Sequence, residues 1–265
     1  MYQTYRIAVV PIMLTIDGKS YRDLVDISPD EFWERFPTMK QHSTGAASPG
    51  EFLNAFEKAS EETDEIICIT IAKVMSAVHQ SANIAMDLIK AEKPQLNIEL
   101  IDSRTVVGAL GFVVLEAARA AQTGKSVPEI IQVARDMMER VKWVVGFETT
   151  FTARSHRVPQ SAYTGQSGYF MPMAGQLDGT DKVKDLGKAA NKEECLQKII
   201  EMVSENIRPE RPLNAIVHYT TSVEDGKKLL KMAQETFRCG ELYLNRYTAM
   251  LGASSGPAIT MAFYT

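Results

Sequence analysis

The sequence lacks the features that place a protein in a membrane or on nucleic acid. It has no uninterrupted run of about 18 apolar residues, which a membrane-spanning helix requires, and its first residues include no apolar stretch of the signal-peptide type. Lysine and arginine (29) are outnumbered by aspartate and glutamate (33), and the formal net charge is -4. Because no basic excess offers a face to phosphate backbones, we expect a cytoplasmic protein that binds a small molecule or a protein.

Cysteine and histidine are also scarce. The three cysteines are widely spaced and form no CxxC pair, which is typical of free thiols in a reducing compartment. None of the histidines has the spacing that puts two metal ligands on one helical face, so each is expected at the surface or in a satisfied core position. We therefore expect neither a metal nor a cofactor. The four histidines are His42, His79, His156 and His218.

The length of 265 residues and the order of predicted elements indicate two domains. Apolar strands at 65–72 and 97–102, joined by a helix over 75–93, form a βαβ unit, which implies a parallel sheet covered on both faces. Residues 1–140 are thus predicted to form an α/β domain. Residues 141–265 are predicted to form an α+β domain with a mixed sheet and helices on one side.

Other elements have local signals. An apolar, β-branched run over 7–16 predicts a strand ending at an Asp17-Gly18 turn, and a helix is predicted over 105–121. Helix starts are predicted where a capping residue is followed three positions later by an acidic residue; these are Ser28, Ser48, Ser126, Asn191 and Ser222. The second half is predicted to contain a hairpin around Asp178-Gly179 and strands at 213–219, 241–247 and 258–264.

Three patterns resemble catalytic or nucleotide-binding motifs. Residues 252–256 spell GxSxG, but a nucleophile elbow needs a strand before and a helix after it, and a proline and a strand follow here; a glycine-rich turn is expected. Residues 123–126 read TGKS without the rest of a P-loop, which predicts a turn between helices. Ser76 and His79, one helical turn apart, are a candidate nucleophile and base, although no third group is evident to orient the histidine.

Two hydroxyl side chains lie where α/β sheets bind ligands. Thr44 lies in a polar loop before the helix at Ser48, and Ser76 lies just beyond the strand over 65–72. Ligands collect at the carboxyl ends of parallel strands, and helix N-termini with nearby hydroxyls suit an anionic group. Taken alone, these positions favour structural caps over a binding site.

Two segments of the first half carry a family resemblance, TGAASPGEF at 44–52 and SAVHQSA at 76–82. They are similar to the segments TSQPSPGEF and SGTYQSA, and through them the sequence resembles the DegV family of bacterial fatty-acid-binding proteins. Several of these motifs recur in the family's order, which makes the resemblance specific over most of residues 9–140. The matching segments are Val9–Ile12, Thr15–Gly18, Tyr21–Asp23, Ile27-Ser28, Thr44–Phe52, Ser76–Ala82, Asp102-Ser103, Leu115–Arg119 and Gly124–Ser126.

The resemblance implies a two-domain carrier and not an enzyme. It implies a long-chain fatty acid with its acyl chain buried in the first domain and its carboxylate held near the domain junction, hydrogen-bonded by Thr44 and Ser76. Ser254 takes the position of a family histidine that also contacts this head group. Some members deliver the fatty acid to a separate fatty acid kinase subunit. The alternatives are a serine hydrolase of acyl esters using Ser76 and His79, or a carrier of another apolar anion.

The sequence also departs from the family pattern. An opening strand ending in Asp-Ser-[Thr/Ser]-Asp-Leu is not found, so one strand is expected to be missing, either because the fold rearranges or because the start is truncated. The family's GGR reads Ser155-His156-Arg157, and its VRG-like segment reads Val183-Lys184-Asp185. Because these second-domain segments differ, the sequence leaves the kinase partnership open.

Overall fold

A computed structural model describes residues 4–148 and 171–265. The chain forms two compact units: the first comprises Met1–Met13 and Gly45–Glu139, and the second comprises Leu14–Thr44 and Arg140–Thr265. The sequence predicts one domain boundary, near residue 140. In the structure, Leu14–Thr44 also belong to the second unit, although they precede that boundary. The predicted loop after Phe147 and the altered Ser155–Arg157 segment lie largely or wholly outside the described residues.

The elements are named in chain order. The strands are β1 (Met13–Ile16), β2 (Lys19–Arg22), β3 (His42–Gly45), β4 (Glu65–Thr70), β5 (Asn97–Asp102), β6 (Lys142–Phe147), β7 (Met171–Gln176), β8 (Lys184–Ala189), β9 (Leu213–Tyr219), β10 (Cys239–Arg246) and β11 (Ala258–Tyr264). The helices are α1 (Pro29–Arg35), α2 (Pro49–Ser60), α3 (Val78–Glu92), α4 (Val107–Gln122), α5 (Val127–Arg140), α6 (Lys192–Glu205), α7 (Val223–Thr236) and α8 (Ala249–Ser255), with a 3₁₀ turn at Phe36–Thr38.

The first unit is built on the predicted βαβ motif. Strands β4 and β5 pair in parallel, with Glu65 opposite Asn97 and Thr70 opposite Asp102, and α3 connects them. Helices α2 and α3 pack around Phe52, Phe56 and other buried apolar side chains. The carboxyl ends of β4 and β5 therefore lie side by side. Ser76 follows the end of β4.

The second unit contains a mixed six-stranded sheet in the order β10-β9-β11-β6-β7-β8. Strand β10 pairs parallel with β9, whereas β11 pairs antiparallel with both β9 and β6. Alternate residues of the strands, such as Val144 and Met261, form one core with residues of α6 and α7. A three-stranded sheet, in the order β2-β1-β3, also contributes to this unit. The predicted α/β class, with one parallel and one mixed sheet, is confirmed.

The predicted capping residues act as expected. Ser28 and Ser48 accept hydrogen bonds from the amides of Glu31 (3.1 Å) and Glu51 (3.2 Å). At the start of α5, the Ser126 amide and hydroxyl both donate to the Glu129 carboxylate, which is the reciprocal half of a capping box. The Asn191 and Ser222 side chains cap α6 and α7 as Ser28 and Ser48 cap their helices, by accepting hydrogen bonds from the amides of Glu194 and Asp225. Within the described residues, no helix is long and apolar enough to cross a membrane.

Three local predictions are wrong. The strand predicted over 7–16 is limited to Met13–Ile16, although the turn at Asp17-Gly18 is present, with the positive φ at both residues that a type I′ turn requires. The loop predicted around Thr44 is strand β3, which pairs with β1. The glycine-rich segment 252–256, predicted as a turn, forms the end of helix α8 followed by Gly256 at φ +67°. The Thr248 side chain caps this helix, and the prediction did not use that capping residue.

A half-buried histidine, His218, makes the stability of the second unit depend on pH. His218 lies on β9, on the face opposite the α6 and α7 core, and its ring is 5.7 Å from that of Tyr247. Its Nδ1 atom is buried without a hydrogen-bond partner among the described residues. Burial lowers the pKa of His218 to about 4, because the charged form is poorly solvated there.

Acidification is therefore expected to destabilise the protein through His218. Its pKa is about 6.5 in an unfolded chain, so between about pH 6.5 and pH 4 the unfolded state binds more protons and stability falls as pH falls. Urea unfolding at pH 7.5 and pH 5 should show a pH-dependent loss that is smaller by about 2 kcal/mol in His218→Gln than in the wild type. An identical loss in both proteins would contradict a His218 that stays neutral in the folded state.

Candidate functional site

Two of the three predicted site residues meet in the second unit. The Thr44 and Ser254 hydroxyl oxygens are 3.4 Å apart, within hydrogen-bond distance, although 210 positions separate them in the sequence. Both side chains are half-buried. Two hydroxyls at this spacing can each donate a hydrogen bond to one anionic oxygen, so the pair has the chemistry of a carboxylate site.

Helix α8, which carries Ser254, is held by contacts at its N-terminus and along its length. At its N-terminus the Thr248 hydroxyl accepts a hydrogen bond from the Leu251 amide at 3.4 Å. Along its length it packs on α1, where the position of an added Gly252 Cβ would be 2.5 Å from Phe32 Cε1 and 2.7 Å from Trp33 Cζ2. Only glycine allows this approach. The contact between α8 and α1 therefore depends on the residue that sequence reasoning assigned to a turn.

A buried carboxyl group lies against the first turn of α8. Burial raises the pKa of Asp23, while hydrogen bonds from the Thr248 hydroxyl and the Met250 and Ala249 backbone act in the opposite direction. Asp23 is only 7% exposed. It connects the residues after β2 to the start of α8, the helix that positions Ser254.

His42 lies beside this hydroxyl pair, although sequence reasoning did not select it. It lies two positions before Thr44 on β3, and the half-buried side chains of both point to the same face of that strand. Its ring contacts that of Phe36 with centroids 5.8 Å apart. Burial lowers its pKa, while a hydrogen bond with the Ala253 backbone and the charge of Asp17 act to raise it. The alternation His42-x-Thr44 would have identified it had β3 been predicted as a strand.

Ser76 belongs to the first unit. It lies between the end of β4 and the start of α3, as predicted, and its hydroxyl accepts a hydrogen bond from the Val78 amide at 3.3 Å. The adjoining loops are tied together, since Ala72 donates to the Thr105 carbonyl at 3.0 Å and the Asp102 carboxylate accepts from the Lys73 amide at 3.1 Å. Ser76 is thus held at the carboxyl edge of the parallel sheet.

The two helices that begin at this edge lack the caps found elsewhere. Ala77 and Val106 occupy the N-cap positions of α3 and α4, and neither supplies a side-chain cap. Val107, the first residue of α4, has φ +48°, which is strained for a β-branched residue. The N-terminal amides of both helices favour negative charge. This edge therefore suits an anion.

Ser76 and His79 do not form a nucleophile–base pair. The His79 Nδ1 atom is 3.0 Å from the Thr70 hydroxyl, so a group does orient this ring, contrary to expectation. Among the described residues no hydrogen bond joins His79 to Ser76, whose hydroxyl contacts the Val78 amide instead. The GxSxG serine is likewise no elbow, because Ser254 lies in the last turn of a helix and not between a strand and a helix.

Comparisons with known proteins identify the family. The model for the DegV family, described as an uncharacterised protein family, matches residues 1–265, and the chain belongs to this family. A DegV domain-containing protein of Clostridium perfringens is 27% identical over 257 residues, covering 96% of this chain and 89% of the relative. The resemblance drawn from the sequence motifs is confirmed.

Solved structures with the same fold include proteins described as binding or carrying fatty acids. A DegV family protein from Thermus thermophilus, described as binding fatty acid, has a TM-score of 0.88 at 20% identity, and the match covers 100% of this chain and 94% of that one. The Streptococcus pneumoniae Fatty Acid Kinase (Fak) B3 protein loaded with linoleic acid has a TM-score of 0.81 at 18% identity, with coverages of 96% and 90%. At these identities the likeness establishes the fold.

Proposed function

We propose that this protein binds a long-chain fatty acid and hydrogen-bonds its carboxylate through Thr44, Ser76 and Ser254. The observation that carries the proposal is the approach of the Thr44 and Ser254 hydroxyls to 3.4 Å across 210 positions of sequence. Family membership supports it, as does the ligand chemistry of the neighbours named above. Ser76 joins the proposal because it matches the family motif and lies beside two helix N-termini without side-chain caps.

The acyl chain supplies most of the affinity in this proposal. Each buried CH₂ contributes about 0.8 kcal/mol, so a long chain gains roughly 10 kcal/mol before the costs of binding. The hydroxyls act on the other end of the ligand, where charge-assisted hydrogen bonds set its orientation. The mechanism is capture and presentation, without any change in covalent bonds.

We further propose that the bound fatty acid is presented to a separate fatty acid kinase subunit in the cytoplasm. The structural likeness to the Streptococcus pneumoniae kinase component supports this partner. The three cysteines, all free, suit a reducing compartment. Mixing the loaded protein with a fatty acid kinase subunit and ATP should yield an acyl phosphate, whereas no product from a kinase active with its own carrier would contradict this partnership.

Thermal unfolding of the delipidated protein tests the carrier function. A ligand at 100 times its Kd stabilises the folded state by about 2.7 kcal/mol, so palmitate or oleate should raise the Tm measurably. An alkyl sulfate of equal chain length serves as the control for a carrier of other apolar anions, and the same rise with both ligands would favour that broader specificity. No rise with any fatty acid would contradict the proposal.

A fluorophosphonate probe is expected not to label Ser76. The probe reacts with an activated serine, and activation requires a base within hydrogen-bond reach. His79 is directed to Thr70 instead. Mass spectrometry of the Ser76 peptide after labelling, with a known serine hydrolase as positive control, checks this expectation. Labelling that is lost in His79→Gln would favour the hydrolase alternative.

A further inference from the structure

We propose that His42 is a third head-group residue of the Thr44–Ser254 site, and that it makes this protein select an ionised acid over an uncharged lipid. The inference rests on the proposed function, because it assigns the imidazole to the same carboxylate. In sequence, Ser254 takes the place of the family's histidine. In the structure, strand β3 brings the His42 imidazole to the backbone of Ala253, the residue before Ser254.

The geometry of β3 and α8 carries the assignment. His42 and Thr44 are separated by one residue on a strand, so their side chains share a face. Thr44 meets Ser254 on α8, and His42 meets the backbone of Ala253, the adjoining residue of the same helix. Two consecutive positions of α8 are thus contacted by two same-face residues of β3. The imidazole therefore adjoins the proposed hydroxyl pair: one residue separates His42 from Thr44 on β3, and its contact on α8, Ala253, directly precedes Ser254.

The surroundings of His42 leave its pKa sensitive to the charge of a bound anion. In the described part of the chain, the charged side chain whose field reaches it is Asp17, in the turn between β1 and β2. The Asp17 carboxylate is already engaged by the Lys40 and Gln41 amides at 3.0 and 2.9 Å. The 3₁₀ turn presents the apolar ring of Phe36, and α8 presents backbone. Burial outweighs these contacts and lowers the pKa of the free protein's His42.

Burial lowers the pKa of His42, and a carboxylate bound beside its ring would raise that pKa. An opposite charge favours the protonated imidazole and raises its pKa, so binding takes up a proton when the pH lies between the His42 pKa values of the free and loaded proteins. Affinity for an ionised acid then rises as pH falls through that window, by at most about tenfold per pH unit, the limit for one proton. An uncharged lipid brings no such change.

Calorimetry on delipidated protein between pH 6 and 8 tests the assignment, with decanoate as the probe. Decanoate stays largely ionised in this range, since carboxyl groups of this type titrate near pH 4 to 5, and decanol is the uncharged control. We expect decanoate to bind more tightly at pH 6 than at pH 8 in the wild type. The slope should be lost in His42→Gln and kept in His79→Gln, a matched exchange in the first unit.

The possible outcomes separate two kinds of failure. A wild-type slope that persists in His42→Gln, or disappears in His79→Gln, would overturn the role of His42 and leave the carrier function intact. No binding of decanoate or palmitate by the wild type would overturn both. Should His42→Gln fail to fold, NMR titration of the wild-type ring with and without decanoate decides: we expect its pKa to rise on binding, and an unchanged pKa would refute the assignment.

Discussion

Loss of the Thr44 and Ser76 hydroxyls is expected to weaken fatty-acid binding by about 10- to 100-fold at each position. A hydrogen bond to a charged group is worth roughly 1.5 to 3 kcal/mol, and every 1.4 kcal/mol corresponds to about a tenfold change in Kd. Thr44→Val keeps the shape of the side chain while removing its donor, and Ser76→Ala does the same. Calorimetry with palmitate should show the loss in each variant, and a larger loss in the double variant.

Two variants serve as controls for the hydroxyl substitutions. Thr15→Val removes a hydroxyl from β1 of the same three-stranded sheet, where Thr15 lies 3.5 Å from Ser20, and should bind fatty acid as the wild type does. Thr44→Ser keeps the donor and should lose little. If the double variant Thr44→Val, Ser76→Ala bound palmitate with unchanged affinity, the carboxylate would have to be held by other residues.

Truncation of Phe32 is expected to reduce the free energy of unfolding by about 3 to 5 kcal/mol. Phe32 is fully buried, packs edge-on against Trp33 with ring centroids 5.2 Å apart, and lies against Gly252 of α8. Removal of a buried aromatic ring loses its transfer free energy and leaves a cavity. Urea unfolding of Phe32→Ala should show this cost, together with weaker fatty-acid binding, because α8 carries Ser254.

An exposed apolar residue of the second unit provides the comparison for Phe32. Val25 is 58% exposed, and Val25→Ala should change stability by less than about 0.5 kcal/mol. A complementary change, Gly252→Ala, inserts a methyl group into the same contact and should cost about 1 to 3 kcal/mol. A cost below about 1 kcal/mol for Phe32→Ala would show that α8 does not depend on α1 for its position.

The elements that the sequence predicted well are those with a local cause. Ser28, Ser48, Asn191 and Ser222 mark helix starts because capping is an interaction of side chain and backbone within four residues. The strand bounds 97–102, 213–219 and 258–264 agree with the structure, since short segments rich in apolar residues between turn signals leave little choice. The parallel pairing of β4 and β5 followed from two apolar strands joined by a helix, the pattern of a βαβ unit.

The failures have a non-local cause. The short strand β3 has no apolar run of its own and is ordered by pairing with β1, so nothing between 42 and 45 predicts it. Helix α8 contains glycine and serine, which disfavour helices, and depends on Phe32, Trp33 and Asp23 from distant parts of the chain. His42 enters the site only through these two elements, and sequence reasoning therefore left it among the structural histidines.

The candidate site was predictable only in part, because the contact between its residues is also non-local. Thr44, Ser76 and Ser254 came from motifs whose order resembles that of a family, and composition or periodicity alone would not have selected them. The structure adds that Thr44 and Ser254 contact each other and that Ser76 does not engage His79. It thereby weakens the hydrolase alternative and supports a site that holds its ligand by hydrogen bonds.

The most direct test of the carrier function is the mass of the protein as purified. Native mass spectrometry should show an added mass of one long-chain fatty acid for each chain, because an apolar binding site is costly to leave empty or to fill with water. Denaturing extraction should release the same lipid, identified by its mass. Repeated preparations with no stoichiometric lipid, together with no binding of added palmitate or oleate, would contradict the account.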